Sequence, residues 1–275
     1  MSRIVMAFPT LSDAATVTDS NGNATYPIAN ALKQQPRETV RTADNTDSYY
    51  TVDLGAAKSI NCIMLLYTNA DSATNWRIRA ATTEAGLTAS PVGYDTGTLQ
   101  HWPPSATSPV DNSSWTRTHA LHLPATAQSF RWWRIDVTGL SGLSYYEFGR
   151  LYVSTAYKPT RNADIGLKIQ YNDSSDGVDT PGAHYRRVGK QWRTVVARFS
   201  FRFESEAYDD WLALDRAIGG GGDLVVITNP ADRVMDRMIY GYLDSIDALD
   251  HGVWNVANAS NLHTKQYTIT EFELP

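Results

Sequence analysis

The chain has 275 residues, with 24 Lys or Arg against 29 Asp or Glu and a formal net charge of -5. Its basic residues are scattered, which argues against specific nucleic-acid binding, because a nucleic-acid groove needs a concentrated positive field. No stretch is apolar for long enough to span a membrane or to form a signal-peptide core. We therefore expect a protein made in a cytoplasm, with no membrane partner.

The N-terminal half begins with loop-like sequence. Residues 13–47 are rich in Asn, Thr, Asp and Ala and contain Pro27 and Pro36, which predicts loops with short strands. In 49–55, apolar and polar residues then alternate up to Gly55. This pattern predicts a half-buried strand that ends in a turn.

Three further strands are predicted in this half. Residues 60–67 are almost continuously apolar, which indicates a central strand covered on both faces, with Cys62 as a buried structural thiol. In 76–79 and 133–137, apolar and polar residues alternate as they do in 49–55, which predicts two more half-buried strands. With no amphipathic helix between them, these strands predict an antiparallel β-sandwich or jelly roll over 1–155, with 86–114 as a long surface loop.

The sequence changes character near Ala156, so 156–275 is expected to be a second domain. A strand is predicted from Trp192 to Phe203, with Ala197, Phe199, Phe201 and Phe203 on one face. Later strands are expected at 224–228, 238–246 and 266–274. The predicted fold class is mostly β, with the second domain an α+β sheet or barrel that has one prominent helix.

That helix is predicted over 206–218. Ser205 is expected to cap it, and the glycines at 219–222 to end it. One helical face is expected to carry Tyr208, Trp211, Leu212 and Ile218.

Nothing in the sequence indicates catalysis, a metal site or a cofactor. It has no nucleophile elbow and no metalloprotease motif. His119 and His122 lie in a strand-like stretch, where their spacing puts them on opposite faces. The acidic stretch 172–179 lacks the glutamate of a calcium loop and is interpreted as a solvated hairpin turn. We expect a protein that is not an enzyme.

Aromatic residues in or near loops are the candidates for carbohydrate recognition, because a ring face can stack on a sugar while polar neighbours bind its hydroxyls. Each of these aromatic residues can also simply cover the end of a sandwich. The candidate residues are Tyr94, Asp95, Trp102, Asn112, Trp115, Arg117, Tyr145 and Tyr146.

The first 155 residues resemble the discoidin, or coagulation factor 5/8 type C, family. The resemblance lies in Val-Asp-Leu-Gly at 52–55, Trp-Arg-Ile-Arg at 76–79, Arg-Trp-Trp-Arg-Ile-Asp at 131–136 and Glu-Phe-Gly-Arg-Leu-Tyr-Val at 147–153. It implies a galactose-binding-like jelly roll with ligand loops at one end. The family's terminal cysteine pair is absent from this chain, and its loops match no ligand signature of the family.

The last 120 residues resemble, in pattern, tail-tube and distal-tail proteins of tailed bacteriophages. The pattern comprises the strand 193–203, the helix 206–218, the glycine-rich turn into 224–227, Tyr-Gly-Tyr-Leu at 240–243 and a terminal strand. The resemblance implies a homo-oligomeric ring, with a hexamer favoured over a trimer, and contacts with other tail proteins.

Together these resemblances favour a structural protein of a phage tail tip or baseplate, assembled in the host cytoplasm and present in the virion. Its N-terminal module would face outward and aid adsorption to a host cell-surface glycan. Two alternatives stay open at this point: a glycan-active enzyme with an accessory discoidin module, and a free-standing oligomeric lectin.

Overall fold

The computed structural model of the chain describes residues 3–89, 93–102, 118–180, 183–255 and 260–272. It is mostly β, with antiparallel sheets and one prominent helix, which confirms the predicted fold class. The chain divides into two compact units. The sandwich unit contains Pro9–Ala156 and Asn229–Arg237, and the C-terminal unit contains Met1–Phe8, Tyr157–Thr228 and Met238–Pro275. The assignment of 1–155 and 156–275 to two domains stays a prediction.

Strands β1 to β12 lie in chain order at Val5–Thr10, Thr16–Asp19, Val40–Arg41, Ser48–Ile60, Cys62–Thr68, Asn75–Ala81, Tyr94–Asp95, Leu99–Gln100, Thr118–His122, Gln128–Thr138, Glu147–Phe148 and Arg150–Tyr157. Short 3₁₀ helices occupy Ser12–Ala14, Ile28–Leu32, Ala85–Leu87 and Leu140–Gly142.

Two larger antiparallel sheets form the sandwich unit, and β3 and β11 form a separate two-stranded sheet. Of the two larger sheets, one has the order β12-β5-β9, and the other has the order β2-β4-β10-β6-β7, with β8 also paired to β6. Inward side chains of both sheets share one core, which includes Val52, Ile63, Ile78, Trp133 and Leu151. Burial of this apolar surface is the main stabilising contribution to the unit.

The strand predicted to end at Gly55 continues instead to Ile60. Gly55 has φ +73°, a left-handed conformation that glycine adopts without steric cost. The register between β4 and β10 shifts between Phe130 and Trp132, with residues 54–57 opposite Arg131 alone, so the glycine lies in an irregularity within the strand and not in a terminal turn. The prediction of β5 as a central strand is confirmed, because all seven of its residues are buried, Cys62 among them.

In the C-terminal unit, strands β13 to β20 lie at Lys168–Asp173, Asp176–Thr180, Ala183–Arg187, Gln191–Phe203, Asp223–Ile227, Met238–Ile246, Asp250–Asn255 and Ser260–Glu271. The first residues of β1 pair with β17, so the sheet of this unit has the order β13-β16-β20-β18-β17-β1. Strand β19 also pairs with β20, and β14 and β15 form a separate hairpin. Helix α1 spans Leu212–Ile218, and α2, in the sandwich unit, spans Val234–Arg237. No helix in the described ranges has the length and apolarity needed to cross a membrane.

Strand β16 does not keep its apolar residues on one face. Val195, Ala197 and Phe199 are buried, but Phe201 and Phe203 are exposed. Phe201 has φ +59°, and the register with β20 shifts between Phe199 and Arg202. This irregularity breaks the two-residue alternation on which the prediction depended.

The prominent helix begins with a π-helical segment, Glu206–Trp211, that continues into α1. Ser205 makes no side-chain capping bond, so the predicted cap is wrong. The buried face carries Ala207, Trp211, Leu214 and Ile218, whereas Tyr208 is exposed and Leu212 is half-buried. A π-helical turn is wider than an α-helical one, so a 3.6-residue period misplaces the face before residue 212.

Candidate functional site

Several loops meet at one end of the sandwich unit. Ser48 at the start of β4 pairs with Val137 near the end of β10, and Thr138 pairs with Asn75 at the start of β6. Segments 42–47, 69–74 and 139–146 therefore lie at the same end. His101 joins them through a hydrogen bond from its backbone N–H to Thr74 O, 3.1 Å away. We call these segments, with residues 20–41 and 101–102, the loop end.

An arginine that stacks on two tyrosine rings lies at the loop end. The Arg41 guanidinium carbon lies 4.0 Å from the ring centroid of Tyr26 and 4.7 Å from that of Tyr145. Glu147, paired with Arg41 between β3 and β11, accepts a 2.5 Å hydrogen bond from Arg41 Nε. The Glu147 side chain is 1% exposed and that of Arg41 28% exposed, so a buried carboxylate fixes a partly exposed cation.

Trp102 is held at the loop end by a hydrogen bond to the main chain. Its indole Nε1 donates a 3.1 Å hydrogen bond to Ala70 O, and its side chain is half-buried. The adjacent Asn69 donates through Nδ2 to Tyr145 O at 2.8 Å and accepts from Glu147 N at 2.8 Å. Asn69 therefore connects the segment that holds Trp102 to the segment that holds Tyr145.

Tyr146 does not belong to a binding surface, although the sequence placed it among the candidates. Its side chain is fully buried, and its hydroxyl lies 2.8 Å from His101 Nε2. Burial raises the pKa of Tyr146 well above its usual value and lowers that of His101 to about 3. We therefore correct its role from sugar contact to support of the loop above it.

Tyr94 and Asp95 lie on strand β7, away from the loop end. Tyr94 pairs with Ala80, is half-buried, and has its hydroxyl 2.7 Å from His122 Nε2. Asp95 accepts two hydrogen bonds from Arg77, and this pairing lowers the pKa of Asp95 to about 2. Strand β7 pairs near the end of β6, whereas the start of β6 lies at the loop end, so the structure does not bring Tyr94 and Asp95 together with Trp102 and Tyr145.

The other three candidates, Asn112, Trp115 and Arg117, lie outside the described residues. Trp102 and Tyr145 are thus the sequence candidates that lie at the loop end with partly exposed side chains.

Sequence reasoning missed three residues of the loop end. Tyr26 had a usable signal, since it is an aromatic residue before Pro27 in a loop-like stretch. Arg41 and Asn69 had none, because Arg41 meets Glu147 across 106 positions and Asn69 meets Tyr145 across 76. Contacts of such separation leave no periodic pattern in a single sequence.

Chemically, this arrangement suits a neutral polar ligand with an apolar face. Aromatic rings offer surfaces for stacking, and a fixed guanidinium offers hydrogen-bond donors. The Arg41 Nη atoms have no hydrogen-bond partner within the described ranges. Nor do those ranges contain a group of three or more His, Cys, Asp or Glu side chains that could hold a metal ion.

No protein-family model matches this sequence, and no curated protein matches it. Among solved structures, a chitosan-binding module from a Paenibacillus sp. IK-5 chitosanase/glucanase is 16% identical over 53% of this chain and 98% of its own, with a TM-score of 0.40. The family 32 carbohydrate-binding module of C. perfringens NanJ, solved with galactose, is 14% identical over 56% of this chain and 99% of its own, with a TM-score of 0.39.

A Ruminococcus gnavus GH29 fucosidase, solved with fucose, is 12% identical and has a TM-score of 0.40. The match covers 54% of this chain and 27% of the fucosidase. At these similarities, the case for a function rests on the side chains of this chain.

Proposed function

We propose that the sandwich unit binds a neutral carbohydrate at the loop end. The Arg41 stack carries this proposal. Two tyrosines and a buried glutamate hold a cation whose Nη atoms remain available. Trp102 is hydrogen-bonded to Ala70 O, next to Asn69, which in turn donates to Tyr145 O. A pre-organised site of this kind loses little conformational entropy when a ligand binds.

We propose that Tyr145 and Trp102 supply stacking surfaces and that Arg41 donates hydrogen bonds to ring hydroxyls. A glycan array probed with the full-length chain tests this directly. We expect saturable binding to at least one neutral glycan and a loss of that signal in Tyr145→Ala. Equal signals from wild type and Tyr145→Ala on every glycan would contradict the proposal.

We further propose that the C-terminal unit assembles several copies of the chain. Of the ten large apolar side chains recorded as exposed in the described ranges, nine lie in this unit, including Ile169, Tyr171, Tyr185 and Phe201. Strand β13 ends the sheet order, and most of its side chains are exposed. An exposed edge strand with apolar residues is a template for pairing with another chain.

Such an assembly suits a ring at the tip of a bacteriophage tail, with the sandwich units as adsorption modules in the virion. Several weak sites on one ring raise apparent affinity through effective concentration without any new contact. Negative-stain microscopy and mass photometry of the purified chain test the assembly, for which we expect rings, hexameric in preference to trimeric. A strict monomer at micromolar concentration would contradict it.

We propose that the protein acts by binding alone. Incubation of a glycan selected on the array with the protein, followed by chromatography of the products, tests this. We expect the glycan to be recovered intact, and steady release of a smaller sugar would contradict the proposal.

A further inference from the structure

A groove of ≈ 370 Å³ lies on the outer face of the sheet that contains β4, β10 and β6. Outward residues of β4 and β10 form its floor, and the segment 84–88, between β6 and β7, forms its wall. It shares no residue with the Arg41 stack. Its lining includes Tyr49, Thr51, Glu84, Ala85, Thr88 and Arg134.

Two arginines face each other beneath this groove. Arg134 on β10 is directly opposite Arg79 on β6. Like charges in directly opposed positions destabilise a sheet unless a counter-charge lies between them. Asp136 is that counter-charge: its Oδ1 accepts 2.8 Å hydrogen bonds from both Arg79 Nη2 and Arg134 Nε. One carboxylate thus serves two guanidinium groups, so one positive charge is in surplus among these three side chains, and Glu84 on the groove wall balances it in net charge.

Arg134 carries the available hydrogen-bond donors. Its guanidinium carbon lies 3.5 Å from the ring centroid of Tyr49, and its Nε donates a hydrogen bond to Asp136. Arg79, by contrast, also donates through Nη1 to Leu87 O at 3.0 Å. The Nη atoms of Arg134 have no hydrogen-bond partner in the part of the chain that the structure describes. A guanidinium held at Nε and stacked on a ring presents its remaining N–H groups in a fixed fork, which matches a carboxylate.

The rest of the groove suits a ligand rich in hydroxyl groups. Glu84 and Thr88 are exposed on the wall, and Thr51 lies opposite Arg134 on β4. Glu84 would repel a second anionic group but accept hydrogen bonds from hydroxyls. We propose that this groove is a second site, for a carboxylate-bearing sugar residue of the uronic acid type. Its carboxylate binds the Arg134 Nη atoms, and its hydroxyls face Glu84 and Thr88.

This site is independent of the neutral glycan site at the loop end, so an experiment can contradict either proposal without the other. The matched probes are sodium D-galacturonate, which carries a carboxylate, and D-galactose, which does not. Each is titrated into the full-length chain by calorimetry. We expect saturable galacturonate binding that weakens at least about tenfold in Arg134→Gln, because a charge-assisted pair is lost. Tyr145→Ala, at the loop end, is expected to leave galacturonate binding unchanged.

Arg131→Gln is the matched control for charge. Arg131 pairs with Asp53 and does not line the groove, so we expect galacturonate binding to stay at the wild-type level. Ala85→Trp fills the groove from an exposed position and leaves every arginine in place, so it keeps the test valid if Arg134→Gln does not fold. We expect it to weaken galacturonate binding as well.

Three results would overturn the site. The first is absence of saturable galacturonate binding to the wild type. The second is wild-type galacturonate affinity in both Arg134→Gln and Ala85→Trp. The third is that the wild type binds L-alanine and not galacturonate, and that Glu84→Gln abolishes the binding of L-alanine. Glu84 would then pair with an ammonium group, and the groove would be a site for amino acids.

Discussion

His101 Nε2 lies 2.8 Å from the hydroxyl of Tyr146, and both side chains are fully buried. The rings meet edge to face at a centroid distance of 5.7 Å. His101 Nδ1 has no hydrogen-bond partner within the described ranges. The pair therefore fixes the residue that precedes Trp102, and it accommodates a neutral imidazole much better than a charged one.

Stability is expected to fall on acidification because of His101. Desolvation lowers its pKa from 6.5 to about 3 in the folded protein. Between these values the unfolded chain binds a proton that the folded chain does not, so the free energy of unfolding decreases as pH falls, by up to about 1.4 kcal/mol per pH unit from this group. Denaturant unfolding at pH 7, 6 and 5 is expected to show a shallower pH slope for His101→Gln than for wild type. Parallel slopes would contradict the assignment.

Much of the sandwich core could be predicted because several of its strands alternate apolar and polar residues and β5 is continuously apolar. Tyr50 and Val52 are buried as the pattern in 49–55 indicates, and so are Trp133 and Ile135. Tyr146 shows the limit of such reasoning, since adjacent aromatics in a loop look alike in sequence. One of the pair, Tyr145, covers Arg41, while the other enters the core to meet His101.

The loop end depends on a glycine that no other residue replaces without strain. Gly139 has φ +78°, and a Cβ there would lie 2.6 Å from Ala73 O. Gly97 also has a positive φ, +64°, but open space around it. We expect Gly97→Ala to cost roughly 1 kcal/mol of unfolding free energy from backbone strain, and Gly139→Ala distinctly more because of the added clash. Equal costs, measured by urea unfolding, would show that the Ala73 contact relaxes freely.

Glu206 is expected to stabilise the C-terminal unit as a buried hydrogen-bond acceptor. Its carboxylate accepts from Tyr157 Oη, Thr160 N and Thr160 Oγ1, and the residue is 6% exposed. Glu206→Gln replaces one acceptor oxygen with a donor, so we expect a loss of about 1–3 kcal/mol in unfolding free energy. Glu204→Gln changes an exposed neighbour and is expected to have almost no effect. A near-neutral Glu206→Gln would show that the network rearranges around the amide.

We expect different substitutions to disrupt assembly and carbohydrate binding. Tyr171→Lys on β13 places a charge on an exposed aromatic position, 59% exposed in the single chain, and is expected to shift mass photometry toward monomers. Tyr145→Ala is expected to leave the mass distribution unchanged. If Tyr171→Lys and Tyr185→Lys both assembled like wild type, the proposed edge would not be the interface.

Carbohydrate binding at the loop end is tested most directly by isothermal titration calorimetry with a neutral glycan selected on the array. The comparison would include wild type, Tyr145→Ala, Trp102→Ala and Tyr171→Lys, after each protein has been shown to be folded. We expect Tyr145→Ala and Trp102→Ala each to weaken binding at least about tenfold, as loss of a stacking ring should, while Tyr171→Lys keeps the wild-type affinity per site. Wild-type affinity in both loop-end variants would contradict a binding site there.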